Sequence, residues 1–294
     1  MRLCVGCPKG NQNAGAYGAV TCAPADGLEV LVKAKKKKMS TGQMRQLLEI
    51  DAKEGLFAEI QALIARKTKG GVKLAGPQEF FQELYDELFP GKGIVVPPLM
   101  EVSAETAAAL EKYPQLMWWY FPSVTEADYP NSFVKPKWGQ YTDESEIERK
   151  PIEGFWGIVD TTPKLNWDDE AAYKDQITEI LGLKTRFGVS WNDCVETHYP
   201  KLDREFHLTA GAFRHMTAEQ YNLFANVMNE LRASRGMDLP DLGSTYSWEW
   251  CDNRYDSGFR LLVGNREFGG LALVDSYRPS RSNDCFAFRF VAVL

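Results

Sequence analysis

Histidine and cysteine, which carry much of the nucleophilic and metal chemistry of proteins, are scarce in this sequence. The three histidines, His198, His207 and His215, lie in the helical middle of the chain. We identify no plausible serine or cysteine nucleophile near any of them in sequence and interpret them as surface or core histidines. The six cysteines are scattered over 294 residues, which is no disulfide framework for a chain of this length. The pair Cys4-x-x-Cys7 lacks the further ligands that tetrahedral zinc requires. We therefore predict no catalytic residue, no bound metal and no cofactor.

Long apolar runs and an excess of positive charge are missing as well. No run approaches the length of a membrane span, and the first residues lack the apolar core of a secretory signal. We therefore expect a cytoplasmic protein or one exported by a non-standard route. A net charge of −6 argues against a general nucleic-acid binder. The run Lys35–Lys38 could contact nucleic acid or a membrane, but we interpret it as a solvated tail.

The first part of the chain predicts an arm followed by helices. Residues 1–40 are rich in glycine, alanine and asparagine and predict a poorly ordered arm. Residues 41–114 predict a small helical domain with a role in packing or oligomerisation. Its first helix covers 41–67, where apolar residues recur at helical spacing. Its second helix begins at Pro77, a favoured first-turn residue, and its third is capped by Ser103.

The rest of the chain mixes strand and helix patterns. Leu116–Phe121 reads LMWWYF and predicts a strand or an aromatic plug, and Phe155–Val159 predicts a strand. Asp168 or Asp169 can cap the helix that follows. Thr217 opens a capping box for a second long helix. A strand, two main helices and a finish of strands and loops predict an α+β fold.

The stretch Tyr246–Leu294 alternates short apolar groups with large polar side chains. The apolar groups have the length of strands, at Phe259–Val263, Leu271–Val274 and Phe286–Leu294, and glycines separate them. In the last group Phe286, Phe288, Phe290, Ala292 and Leu294 alternate with the residues between them, which predicts a buried closing strand that holds the end of this stretch. No hydrophobic pattern explains the large polar residues between the strands. Such an arrangement suits binding better than catalysis.

Five short motifs follow one another in this stretch: YSWEW from Tyr246, RLLVG from Arg260, GGLALV from Gly269, PSRS from Pro279 and FRF from Phe288. Together they resemble the C-terminal part of the variable proteins of diversity-generating retroelements. That family shares a C-type-lectin-like fold with formylglycine-generating enzymes. The resemblance implies a C-type-lectin-like ligand-binding domain over 115–294, with a variable region over about 246–294 and no catalytic function.

In that family, adenines of the coding template are randomised, mainly at asparagine codons of AAY type. Such codons cannot yield Lys, Gln, Glu, Met or Trp. The segment Ser257–Leu294 has no Lys, Gln, Met or Trp and a single glutamate, Glu267, which agrees with the idea. Trp248 and Trp250 are therefore assigned to the constant frame.

The predicted variable positions are rich in the tyrosine and arginine anchors that suit a binding surface. We expect them to form one exposed patch that binds an unknown protein or surface ligand. They are Tyr255, Arg260, Leu262, Arg266, Phe268, Leu273, Asp275, Ser276, Tyr277, Arg278, Arg281, Cys285 and Ala287.

The same resemblance leaves an alternative, a formylglycine-generating-type oxidase or a degenerate relative of it. Such an enzyme holds copper with a pair of cysteines near its C-terminus, and only Cys251 and Cys285 could form that pair. The family's ending around these cysteines is missing, because Phe288 and Arg289 are followed by Phe290. We therefore expect no enzyme. A third hypothesis is a phage or cell-surface structural protein with a lectin-like tip.

The triplet Trp191-Asn192-Asp193 is similar to the one that supplies calcium ligands in calcium-dependent lectins. There it lies on a late strand and has a Glu-Pro-Asn or Gln-Pro-Asp partner, which this sequence lacks. Here Ser190 predicts a helix cap just before the triplet. We interpret the triplet as a coincidence and predict no calcium site.

Overall fold

A computed structural model describes residues 77–140, 142–162, 175–237, 239–245, 247–264 and 274–294. All of these lie in a compact unit that covers Leu56–Leu294. Several sequence predictions fall outside the described residues: the arm over 1–40, the helix over 41–67, the caps Asp168 and Asp169, and the candidate positions Arg266, Phe268 and Leu273.

The described helices are α1 (Pro77–Leu88), α2 (Ala104–Leu110), α3 (Gln176–Leu181), α4 (Trp191–Asp193), α5 (Tyr199–Glu205) and α6 (Ala218–Arg235). A π-helical turn, Cys194–His198, joins α4 to α5. Two 3-10 turns lie at Glu144–Glu146 and Leu242–Ser244. None of the helices in the described part of the chain is long and apolar enough to cross a membrane.

The strands of the described ranges are β1 (Leu116–Phe121), β2 (Phe155–Asp160), β3 (Phe213–His215), β4 (Trp248–Tyr255), β5 (Phe259–Gly264), β6 (Val274–Tyr277), β7 (Phe286–Ala287) and β8 (Phe290–Val293). They form two four-stranded sheets. The first sheet has the order β1-β2-β8-β3, and all its pairs are antiparallel. The second has the order β6-β5-β4-β7, and only its β4–β7 pair is parallel. Helices and two sheets in one unit confirm the α+β class.

Helix α1 packs directly on the first sheet. It begins at Pro77, as predicted, and buries Phe81, Leu84 and Tyr85. The ring centroid of Phe81 lies 5.2 Å from that of Trp119 on β1. The sequence interpretation placed this helix in a separate small domain. The shared core instead joins the described part of that segment to the sheets.

Helix α6 occupies the centre of the fold. Both bonds of the predicted capping box between Thr217 and Gln220 are present, and Gly236 ends the helix with a φ of 62°, a conformation that favours glycine. Phe224 of α6 meets Trp119 of the first sheet at 4.7 Å between ring centroids. The same core cluster continues to Leu261 of the second sheet. Helix α6 therefore supports both sheets.

The predicted closing strand over Phe286–Leu294 is wrong as one continuous strand. Its first two residues form β7 in the second sheet, and residues from Phe290 form β8 in the first. Arg289 lies between them and is only 1% exposed. Its guanidinium binds groups on other segments, and the chain crosses from one sheet to the other at this point. The alternation holds beyond the crossing, since Phe290 and Val291 enter different core clusters.

Buried charges hold this crossing in place. Arg289 donates to the carboxylate of Glu249 at 3.2 Å and to the carbonyl oxygen of Thr162 at 2.8 Å. Arg186, 3% exposed in its side chain, binds the carboxylates of Asp160 and Asp175. Isolated buried charges are costly, and mutual pairing offsets that cost. The network joins β2, β4 and the junction between β7 and β8.

Candidate ligand-binding face

The pairing of β5 with β6 places four candidate positions on one side of the second sheet. Arg260 lies opposite Tyr277, and Leu262 lies opposite Asp275. Directly opposed residues of an antiparallel pair share a face, and so do residues two apart on one strand. We call the side with Arg260, Leu262, Asp275 and Tyr277 the outer face.

The opposite side of the same two strands belongs to the core. Leu261, Val263 and Val274 are each at most 2% exposed and pack in the cluster of α6. Ser276 pairs with Leu261 and therefore shares their side. Tyr255 also packs against that cluster. The prediction that all candidate positions share one patch is thus wrong for Ser276 and Tyr255, because alternation along the strands turns them away.

A buried aromatic cluster forms the floor of the outer face. Trp248, Trp250, Leu262 and Phe286 make up this cluster, and Tyr277 packs against it with its ring centroid 4.7 Å from that of Phe286. Burial of both tryptophans agrees with their assignment to the constant frame. The buried cluster therefore fixes the shape of the outer face, and the more exposed side chains above it are not needed for that shape.

Residues from a distant part of the chain cover one side of this floor. The indole N–H of Trp250 donates to the carbonyl oxygen of Val189 at 2.9 Å. The backbone N–H of Asn192 donates to the carbonyl oxygen of Pro279 at 3.1 Å. Ser190 caps α4 by accepting from the N–H of Asp193 at 3.1 Å, which confirms the predicted cap.

Trp191, the first residue of α4, forms part of the outer face beside Arg260. The guanidinium carbon of Arg260 lies 3.9 Å from the centroid of a Trp191 ring, which is a close cation–π geometry. Arg260 also donates to the carbonyl oxygen of Asp252 at 2.8 Å. The carboxylate of Asp252 binds Lys150 at 2.8 Å. Burial lowers the pKa of Arg260, and the nearby Asp252 opposes that shift. Arg260 is therefore held in one place.

Two arginines follow β6 in a tight turn. The N–H of Arg281 donates to the carbonyl oxygen of Arg278 at 2.9 Å, and both side chains are exposed. The guanidinium carbon of Arg281 lies 5.1 Å from the ring centroid of Tyr277. These side chains rest on the rim of the outer face and make few contacts that support the fold.

Asp275 is half-buried on the outer face. Its carboxylate accepts the N–H of Ser276 at 2.7 Å. Burial raises the pKa of this carboxyl, and the bond from Ser276 opposes the shift. No cationic side chain of the described residues forms an ion pair with it. Within the described part of the chain, the acid thus has a desolvation cost that no positive charge offsets.

The expected exposure is wrong for two candidate positions. Leu262 and Ala287 are both 0% exposed. Leu262 is part of the floor, between the strands β4 and β6. Ala287 lies on β7 in register with Glu249 of β4, which is buried too. Both side chains therefore support the fold and cannot contact a ligand in this structure.

Cys251 and Cys285 lie in different hydrophobic clusters. Cys251 is 1% exposed in the cluster of α6, whereas Cys285 is half-buried against the floor of the outer face. Burial raises the pKa of both thiols. A copper site built on two cysteines needs both sulfurs together, and this placement lends it no support. In the described ranges, no three His, Cys, Asp or Glu side chains group as metal ligands.

The structure therefore brings together part of the predicted site. Arg260, Asp275, Tyr277, Arg278 and Arg281 lie on or beside the outer face. Sequence reasoning missed the contribution of the indole next to Arg260, which comes from a helix far away in the chain. The available signal was the preference of binding surfaces for tryptophan.

No family model matches this chain, and neither a curated protein nor a solved structure matches it. A functional conclusion therefore depends on the residues and their arrangement.

Proposed function

We propose that this protein is a non-catalytic, hypervariable ligand-binding protein that a retroelement diversifies. In this proposal a C-type-lectin-like scaffold presents the variable residues on the outer face. One observation carries it: β5 and β6 place Leu261, Val263 and Val274 in the core, and they place Arg260, Asp275 and Tyr277 on the other side, around the buried Leu262. A surface whose side chains are separate from the core can change without loss of the fold.

The scaffold assignment has support from the order of the strands. Strand β8 follows the candidate region in sequence, yet it lies between β2 and β3 in the first sheet. The outer face belongs to the second sheet, and α6 supports both. A fixed sheet closed by the last described strand, with a binding region inserted before it, is what the resemblance to C-type-lectin-like domains implies.

The ligand class follows from the side chains. The outer face and its edge carry tyrosine, tryptophan and arginine, the residue types that dominate binding energy at protein interfaces. They are Trp191, Arg260, Tyr277, Arg278 and Arg281. The contacts of Arg260 and Arg281 with aromatic rings hold these side chains in position before binding, which lowers the entropic cost of association. We therefore propose a protein or protein-bearing surface as the ligand.

Two combinatorial libraries test the separation of surface from core. The outer library randomises Arg260, Asp275, Tyr277, Arg278 and Arg281 with AAY-derived codons. The matched inner library treats Leu261, Val263 and Val274 in the same way, so that both libraries alter β5 and β6, and the outer library also alters the turn after β6. Resistance of displayed variants to thermolysin reports folding.

Most outer variants should stay resistant, whereas few inner variants should, because buried apolar positions reject polar residues. Equal losses in both libraries would contradict the proposal. The gene provides a second test. A reverse-transcriptase gene and a near-repeat of the region that encodes 246–294 should lie beside it, with mismatches at adenines of the repeat.

A further inference from the structure

Among the described residues, the carboxylate of Asp275 on the outer face has no cationic partner. It lies opposite Leu262, beside an apolar floor, and its described hydrogen bond comes from the N–H of Ser276. Two nearby arginines among the described residues make other contacts. Arg260 contacts Trp191 and the carbonyl oxygen of Asp252, and Arg281 lies over Tyr277.

The fold itself does not require this charge. An asparagine at position 275 would accept the same N–H bond from Ser276 through its amide oxygen, without the cost of a half-buried charge. Two buried acids of the described residues are better satisfied: Asp160 is paired with Arg186, and the carboxylate of Asp203 accepts the N–H groups of Gly211 and Phe213. An uncompensated charge at a ligand-facing position is a signature of function rather than of stability.

Its surroundings favour one kind of counter-charge. Tyr277 is the next side chain on the same face of β6. Arg281 already lies over its ring, so this part of the face accommodates a cationic side chain beside an aromatic one. A metal ion would need further ligands, and no suitable group of three His, Cys, Asp or Glu exists in the part of the chain that the structure describes.

We infer that Asp275 is the acceptor for a basic side chain, a lysine or arginine, of the protein bound by the outer face. This inference rests on the proposed function. On binding, the ammonium or guanidinium group donates to the carboxylate, and the charge of Asp275 becomes paired. Charge-assisted bonds of this kind are among the stronger ones in proteins.

Parallel peptide selections test the inference. A phage library of random dodecapeptides is selected on the immobilised wild-type chain and on Asp275→Asn. The matched control is Asp284→Asn, which removes the same charge from an exposed position in the neighbouring loop. A further variant, Tyr277→Ala with Arg278→Ala, disrupts the outer face without changing Asp275. Thermal unfolding of each variant verifies that it folds.

We expect peptides selected on the wild type to be enriched in lysine or arginine. They should bind Asp275→Asn about tenfold to a hundredfold more weakly and Asp284→Asn equally well. Peptides that bind Asp275→Asn as tightly as the wild type, yet lose affinity for the Tyr277→Ala/Arg278→Ala variant, would overturn the inference and leave the proposed function standing. Failure to select any peptide that depends on the outer face would overturn both.

Discussion

Two regions of this molecule use charge in opposite ways. At the junction between the sheets, Arg186 and Arg289 are almost fully buried, and each is bound to carboxylates. On the outer face, Asp275 is half-buried with no counter-charge among the described residues, and Arg278 is exposed. Glu249 of the junction lies on β4 and Asp275 lies on β6, so both regions include strands of the second sheet.

The contrast indicates which charges serve the fold. Where a charge is buried for structural reasons, its partner is built into the chain, because an unpaired one would cost several kcal/mol. On the outer face, the proposed function makes the ligand the source of the partner charge. Four substitutions test this division, from the largest expected effect to the smallest.

Arg289→Met should have the largest effect. It removes the group that binds Glu249 and the carbonyl oxygen of Thr162, and it leaves a buried carboxylate with less compensation. We expect a loss of about 3–5 kcal/mol in the free energy of unfolding, measured by urea denaturation. The control, Arg278→Met on the exposed turn, should change it by less than about 0.5 kcal/mol. Similar losses for both variants would remove the distinction between the two regions.

Leu262→Ala should cost slightly less. Leu262 is completely buried in the floor of the outer face, and such truncations destabilise proteins by about 2–5 kcal/mol. Denaturation midpoints of this variant and of Val95→Ala, whose side chain is 77% exposed, provide the comparison. A loss below about 1 kcal/mol in the free energy of unfolding would mean that the side chain at position 262 can vary without loss of the fold.

Arg260→Ala lies between the two regions, because this side chain is on the outer face but is anchored. It loses the stacking on Trp191 and the hydrogen bond to Asp252, each of which contributes about 1 kcal/mol or less. Arg254→Ala, at the exposed register position opposite Arg260, is the control. If thermal unfolding midpoints of the two variants coincide, the anchoring contacts add nothing to stability.

Asp275→Asn should have the smallest effect on stability. It should stabilise the fold, whereas the other three substitutions should destabilise it. The pKa of Asp275 is higher in the folded chain than in the unfolded one because of burial. The unfolded state therefore loses its proton first as pH rises, and stability falls between the unfolded and the folded pKa. Above both values the penalty is constant.

The variant should consequently unfold at a slightly higher temperature than the wild type at pH 7. At a pH below the unfolded pKa of aspartate the two should coincide. Melting curves at both pH values measure the difference. A variant that is less stable than the wild type at pH 7 would mean that the charge of Asp275 supports the fold.

Local signals in the sequence were reliable in this protein. Thr217 and Gln220 form the predicted capping box, and Gly236 ends the same helix. Ser103 and Ser190 cap helices as expected. Each of these features depends on a few neighbouring residues, whose hydrogen bonds are set by the backbone of a single turn.

Long-range pairing could not be predicted from the same patterns. The residues from Leu261 to Val263 are all apolar, so alternation alone does not show which of them faces the core. The division of Phe286–Leu294 between two sheets depends on what Arg289 binds, and those partners lie far away in sequence. The contribution of Trp191 to the outer face has the same origin.

The position of β8 makes folding of the protein depend on an intact reading frame through the candidate region. In the message, its codons come after those for the outer face, and in the fold it lies in the interior of the first sheet. If the outer-face codons are diversified as proposed, a frameshift or premature stop within them would delete an interior strand and leave the edges of β2 and β3 unpaired. Such a product would unfold and be degraded, so only copies read in frame to the end of β8 would present a surface at all.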